Sequence, residues 1–272
     1  MPKERWKTRT TGIRKMDITV HEHTDNKMVF TLGGVHVAYA NTLRRLMLGE
    51  VPTLAIEDVK IFKNDSVLYD EILSHRLGLV VLKTDLDSYK MNPAGERIES
   101  PQYELKLSLT AEGPKIVYAS DLVSKDPAIS PIFPETILVK LLEGQTLELE
   151  ATAILGNGNQ HAKWAPGLVW YGYEPKITVN TKAKTYAESK DKFPPQIFND
   201  KGEIDKKLIN SPQLVDACVD VDPEVVAIEF QTDAYRFTVE SFGALSPKQI
   251  VSEALTLYGE QLKEFEGLLK EL

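Results

Sequence analysis

Val35-His36-Val37-Ala38-Tyr39-Ala40-Asn41-Thr42-Leu43-Arg44-Arg45-Leu46-Met47-Leu48-Gly49-Glu50-Val51-Pro52 is the stretch around which the rest of the chain is organised. It reads as one helix of about four turns. Gly33-Gly34 precede it, and Gly49 and Pro52 supply the stop. At about 100° per residue, Val35, Ala38, Tyr39, Thr42, Leu43, Leu46 and Met47 share one broad apolar face. The other side carries Val37, Ala40, Asn41, Arg44, Arg45 and Leu48, an arginine pair set among aliphatic residues. A helix that is apolar nearly all round is buried, so this one is expected to pack a core on one side and a partner on the other. Guanidinium suits such a half-buried contact because it is planar, weakly hydrated and multidentate. The plainer alternative stays open: two solvated arginines on an ordinary core helix.

Working outward, residues 14 to 32 read as a β-hairpin. Met16, Ile18 and Val20 alternate with polar residues, as do Met28, Phe30 and Leu32, and Asp25-Asn26 supplies the turn. His21 and His23 share a face of this hairpin, but two ligands without a third read as polar strand residues. After the arginine helix, Leu54 to Phe62 reads as a strand and Tyr69 to Leu79 as a short helix stopped by Gly78. Residues 84 to 101 are a polar loop. Tyr103, Leu105, Leu107 and Leu109 alternate strictly, as a half-buried strand does. Residues 119 to 134 are irregular, and Ile137 to Leu142 and Leu147 to Leu155 are two further strands around Glu143-Gly144-Gln145.

The segment from Gly156 to Pro166 does not follow a strand-to-helix phosphate-binding pattern, so it reads as a surface turn. Its His161, Lys163 and Trp164 fit two readings: an interface contact, or a tryptophan that closes a small core. Lys176 to Asn180 gives one more strand. Residues 182 to 223 are lysine- and aspartate-rich and broken by prolines; only Ile197-Phe198 and Leu214-Val215 stand out as anchors, so a small, weakly cored insertion is expected.

Val225 to Phe230 and Tyr235 to Val239 read as a second hairpin around Thr232-Asp233. Ser246-Pro247-Lys248-Gln249 then opens a helix, with Ser as N-cap, Pro at the first helical position and Gln at the third. In it Val251, Leu255, Tyr258, Leu262, Phe265, Leu269 and Leu272 recur at spacings of 4 and 3, a heptad seam that points to helix-to-helix association. Both ends thus follow one plan, hairpin then helix. The expected fold class is α+β: residues 1–50 and 224–272 form one discontinuous domain of two hairpins and two helices, residues 51–181 form an inserted, mostly β domain, and residues 182–223 form a small insertion.

The chain of 272 residues is long enough for this plan. A net charge of −8 argues against a protein whose main task is gripping nucleic-acid phosphates, although Lys3 to Lys15 is locally basic. The single cysteine, Cys218, permits no internal disulfide and suits a reducing cytosol. No signal peptide and no membrane-spanning apolar run are visible. No Walker loop, dinucleotide fingerprint, zinc-ligand cluster or nucleophile elbow is found. On residues alone, a scaffold or assembly role leads.

Specific stretches carry a family resemblance. Ala40-Asn41-Thr42-Leu43-Arg44-Arg45-Leu46, Glu50-Val51-Pro52, Ala55-Ile56-Glu57 and His75-Arg76-Leu77-Gly78-Leu79 resemble the α-like RNA polymerase subunits. His161-Ala162-Lys163-Trp164 resembles a second motif of their archaeal and eukaryotic branch. Tyr235 to Gly243 and the helix after it resemble the closing hairpin and dimerisation helix. The length is most similar to the archaeal D-type members. The resemblance implies an α-like dimerisation domain and a cytoplasmic, non-catalytic platform subunit of DNA-dependent RNA polymerase. It would pair with subunit L through Val251, Leu255, Tyr258, Leu262, Phe265, Leu269 and Leu272, and be joined by subunits N and P. Asn41, Arg44 and Arg45 would then meet the second-largest catalytic subunit. His161, Lys163 and Trp164 form a further candidate interface motif. No catalytic residue, metal site, membrane contact or specific nucleic-acid contact is expected of this chain.

Some relatives of this type carry a ferredoxin-like insertion with iron–sulfur clusters. Residues 182–223 sit in that place, and Lys192 to Phe198 is faintly ferredoxin-like. A cubane cluster needs three or four thiolates, and only Cys218 is present, so a ferredoxin-like remnant without a cluster is expected. That single thiol counts against the alternative of an iron–sulfur redox protein, as the charge counts against a free-standing nucleic-acid-binding regulator.

Overall fold

The computed structural model describes residues 16–93 and 96–271. The basic stretch Lys3 to Lys15 and the last seam residue, Leu272, lie outside the described residues. The fold is mixed α/β, and every strand pair with an assigned register is antiparallel.

Strands β1 (Asp17–His23) and β2 (Lys27–Gly33) form the first expected hairpin. Its turn is closed by the Thr24 amide donating to the Lys27 carbonyl at 2.8 Å and by the Lys27 amide donating to Thr24 Oγ1 at 3.0 Å. Helix α1 (Val37–Gly49) starts later than its apolar pattern suggests. Gly34 sits at φ 73°, and the Val35 amide is taken by the Asp233 carbonyl at 3.2 Å, so the helix winds only beyond them. The buried face is Ala40, Leu43, Leu46 and Met47. Ala38 and Ala40 exchange the sides expected of them: Ala40 is buried and Ala38 exposed.

Strand β3 (Thr53–Asn64), helix α2 (Asp70–Gly78), β4 (Glu104–Glu112), β5 (Lys115–Tyr118), β6 (Val123–Ser124), β7 (Ile137–Leu141) and β8 (Thr146–Gly156) follow. They form a sheet of order β3-β8-β4-β6 and a separate β5-β7 ribbon. The alternating leucines behave as their period requires: Leu105, Leu107 and Leu109 of β4 and Leu147, Leu149, Ala151 and Ala153 of β8 are buried with Leu73 and Leu77 of α2. Strand β5 is not evident from the sequence, because Lys115-Ile116-Val117-Tyr118 is too short to show a period. Although β7 and β8 flank one turn, they do not pair; β8 lies between β3 and β4, and β7 pairs β5.

Next come β9 (Gly167–Val179), α3 (Tyr186–Ser189), α4 (Pro212–Cys218), β10 (Val226–Ser241) and α5 (Pro247–Lys270). The expected second hairpin does not exist. Residues 226 to 241 are one 16-residue strand in a sheet of order β1-β2-β10-β9. Thr232-Asp233 interrupts the apolar pattern because Thr232 is exposed and Asp233 is a half-buried polar residue whose carbonyl accepts from the Val35 amide, not because the chain turns. It lacks the Gly or Asn that a two-residue hairpin turn needs for positive φ, and the burial phase resets at Ala234-Tyr235, which are both buried.

The chain falls into two compact units. Among the described residues, the first holds 16–19, Phe30–Val37 and Tyr171–Phe237. In it Phe30 stacks on Phe237 at 5.2 Å, and Arg236 donates to both oxygens of Glu174, at 2.9 and 2.6 Å. Residues 182–223 are better cored than their composition suggests. Phe193, Ile197, Ile204, Ile209, Val215 and Cys218 are all buried, together with Ile177, Val225 and Val226. Their apolar residues are scattered singly among lysines and aspartates, so no window shows a period even though the fold gathers them.

Among the described residues, the second unit holds Val20–Val29, 38–93, 96–170 and 238–271. Helix α5 begins as its start signals require: the Gln249 amide donates to Ser246 Oγ at 3.3 Å, and the Ser246 amide to Gln249 Oε1 at 2.9 Å. Pro247, Ile250 and Ala254 are its buried residues. No helix among the described residues is long and apolar enough to cross a membrane.

Candidate functional site

Two surfaces of the second unit gather the candidate residues. On α1, Asn41 and Arg45 are exposed and Arg44 is half-buried. One turn of helix brings Arg44 back to Asn41, whose Oδ1 accepts from Nε at 3.2 Å and Nη2 at 3.0 Å. This bond aims the Arg44 fork along the helix surface. Among the described residues no carboxylate forms an ion pair with either guanidinium, and Glu50 shares a small cleft with Arg45. Such a face fits an anionic or carbonyl-rich partner surface.

On α5 the seam divides. Val251 and Tyr258 are half-buried, and Tyr258 meets Tyr39 of α1 at 5.7 Å between ring centroids. Burial, and then the nearby Tyr258, pushes the Tyr39 hydroxyl pKa above its ordinary value. Beyond this crossing the helix projects: Leu262, Phe265 and Leu269 are 51%, 60% and 53% exposed, and Leu255 is also exposed. Every described residue from Glu260 onward is exposed. A run of large apolar side chains on one uncovered helix face is a pattern of interaction surfaces.

The His161-Ala162-Lys163-Trp164 motif forms a 3₁₀ turn after β8. Trp164 is 5% exposed, and its Nε1 donates to the Ile154 carbonyl at 3.2 Å. Its own carbonyl accepts from Thr53 Oγ1 at 2.8 Å. Lys163 Nζ lies 4.4 Å from the Trp164 ring centroid, donates to the Ile56 carbonyl at 2.9 Å and forms an ion pair with Glu57. These contacts place Lys163 and Trp164 in the join between β3 and β8. Only His161 and Ala162 are left at the surface. His161 Nδ1 accepts from the Lys163 amide at 3.1 Å, which fixes the ring edge-on to Trp164.

The loop between β8 and this turn holds residues that sequence reasoning missed. The Asn159 amide donates to the Gly49 carbonyl at 3.0 Å, and Asn159 Nδ2 donates to Glu50 Oε1 at 2.7 Å. Asn157 Nδ2 reaches the other carboxylate oxygen at 3.5 Å. Gly158 lies so close that a Cβ there would sit 2.2 Å from the Leu48 carbonyl oxygen. The Gly-Asn-Gly-Asn run was the available signal, but its target lies more than a hundred residues earlier in the chain, where no local pattern points to it.

Comparison with known proteins fits this arrangement. The family profile described as RNA polymerase Rpb3/RpoA insert domain matches residues 59–167. The DNA-directed RNA polymerase subunit Rpo3 of Pyrococcus furiosus is 36% identical over 260 residues, covering 94% of this chain and 98% of that protein. The chain belongs to the Rpo3 family. The Methanosphaera stadtmanae Rpo3 is 37% identical over 261 residues (90% of this chain, 96% of that one), and the Thermococcus kodakarensis Rpo3 is 35% identical over 260 residues (94% and 99%). Membership in the Rpo3 family makes this an α-like assembly subunit of a multi-subunit DNA-directed RNA polymerase, acting in transcription. The matched insert region begins inside β3 and ends where β9 starts, so it includes most of the sheet, the Asn157–Asn159 loop and the tryptophan turn.

Proposed function

We propose that this Rpo3-family chain is the platform on which its polymerase assembles, and that it carries no catalytic residue itself. Its exposed α5 seam pairs with the smaller α-like subunit L; subunits N and P join that pair. Asn41, Arg44 and Arg45 then dock the second-largest catalytic subunit, and the complex works in the cytoplasm. The observation that carries this reading is the uncovered apolar half of α5, Leu262, Phe265 and Leu269, on the same unit as an arginine pair that forms no ion pair among the described residues. In this reading residues 1–50 and 224–272 act as the dimerisation domain around the inserted residues 51–181. Residues 182–223 are a ferredoxin-like remnant that needs no cluster, since their core is apolar and Cys218 lies within it. Burial pushes the Cys218 thiol pKa up, away from the thiolate that a metal requires.

The test is charge reversal of Arg44 and Arg45 to Glu in the full chain co-expressed with L. The 1:1 pair should still form by size-exclusion chromatography with light scattering, and capture of the second-largest subunit should be lost. Unimpaired capture, or loss of L pairing first, overturns the assignment of faces. Stoichiometric iron in the purified chain overturns the cluster-free reading.

A further inference from the structure

The loop from Gly156 to Gln160 grips the end of α1 about one turn beyond Arg45. A carboxylate at the end of a helix is badly placed, because the helix dipole is negative there and α1 has no basic residue in its last turn. Glu50 is nevertheless at that end, and its two oxygens are met by the side-chain amides of Asn159 and Asn157, at 2.7 and 3.5 Å. The Asn159 amide also caps the Gly49 carbonyl, one of the acceptors the helix cannot satisfy itself. Steric fit allows little slack: a Cβ on Gly49 would sit 2.4 Å from Asn159 Oδ1, and one on Gly158 would meet the Leu48 carbonyl. The loop's other end is fixed in the sheet by the buried Trp164 and by Lys163 on Ile56.

We propose that Asn159 and Glu50 are positioning residues for docking of the large subunit: they lock the arginine face of α1 to the inserted sheet, so that this face meets its partner in one fixed geometry. This inference rests on the docking role proposed for Arg44 and Arg45. Arg45 lines the same small cleft as Glu50, Asn159 and Gln261, so a change in the clamp reaches the docking face directly. A surface held in its bound geometry before the encounter binds more tightly, because less ordering remains to be done.

The test uses the full chain paired with L and three variants. Asn159→Asp sets a second carboxylate against Glu50 and should weaken binding of the second-largest subunit by about tenfold or more. Glu50→Gln keeps an acceptor for Asn159 and should bind within about threefold of the parent. The double variant Asn159→Asp/Glu50→Gln restores the bond with donor and acceptor exchanged and the net charge unchanged, and should recover binding. L pairing should be unaffected in all three. Binding by Asn159→Asp equal to the parent's overturns the proposal. So does a double variant that folds and pairs with L but does not recover, and so does a double variant that fails to fold. If Arg44 and Arg45 reversal blocks docking while Asn159→Asp does not, the clamp inference alone fails. If neither affects docking, the docking reading itself fails.

Discussion

Replacing Leu262 and Phe265 with glutamine separates partner binding from folding. The two side chains are 51% and 60% exposed in the free chain. Full burial of a leucine or phenylalanine contributes about 1.5–3 kcal/mol, so covering the exposed half of each leaves about 1–1.5 kcal/mol per residue to be gained on pairing. The two together come to about 2–3 kcal/mol, a loss of roughly 30- to 150-fold in affinity for L. Glutamine retains good helix propensity, and exposed positions usually change stability by no more than about 0.5 kcal/mol. The thermal midpoint of the unpaired chain should therefore stay where it is while affinity falls. Titration calorimetry against purified L reads the affinity, and the less negative heat-capacity change of binding reads the apolar area lost. Affinity within about twofold of the parent's would refute the reasoning. So would a fall in the free chain's midpoint that accounts for the lost affinity, because the seam would then be part of the chain's own core.

Two further outcomes follow from the geometry. Trp164→Ala should destabilise the chain by about 3–5 kcal/mol in denaturant titration, because loss of a 5% exposed indole with a bonded Nε1 leaves a cavity; no change would mean the turn is not part of the core. The Asp85 carboxyl is held below its ordinary pKa, first by the Ser88 hydroxyl donating at 2.7 Å and then by the Asp87 amide at 3.0 Å. A depressed folded pKa stabilises the chain above the unfolded value near 4 and loses that contribution as pH falls through the folded one. Ser88→Ala should thus raise the Asp85 pKa in an NMR titration and lower stability at neutral pH but not below the folded pKa, where the carboxyl is protonated in both states; an unmoved titration would sink the assignment.

Local rules decided much of this protein from the residues alone. Strict alternation in Leu105, Leu107 and Leu109 could only place one face inside, and it did. Ser246, Pro247 and Gln249 cap α5 because all three act within one turn. The apolar spacing of α5 marked a seam, and its uncovered half is visible as exposed leucines and a phenylalanine. The single cysteine, too, is a fact of the sequence.

Tertiary structure decided what depends on partners far along the chain. Thr232-Asp233 has the polarity of a turn, but strands on both sides hold residues 226 to 241 straight. Ala38 and Ala40 are chemically the same, and only the packing of α1 against its neighbours settles which is buried. The core of residues 182–223 has no period, because its members come from short turns gathered by the fold. The clamp of Asn159 on Glu50 joins residues 109 positions apart. A sequence window carries helix and strand periods, caps and composition, since these act between near neighbours. It carries no information about which distant carbonyl or carboxylate an asparagine will reach, and the lock on the arginine helix is a contact of that kind.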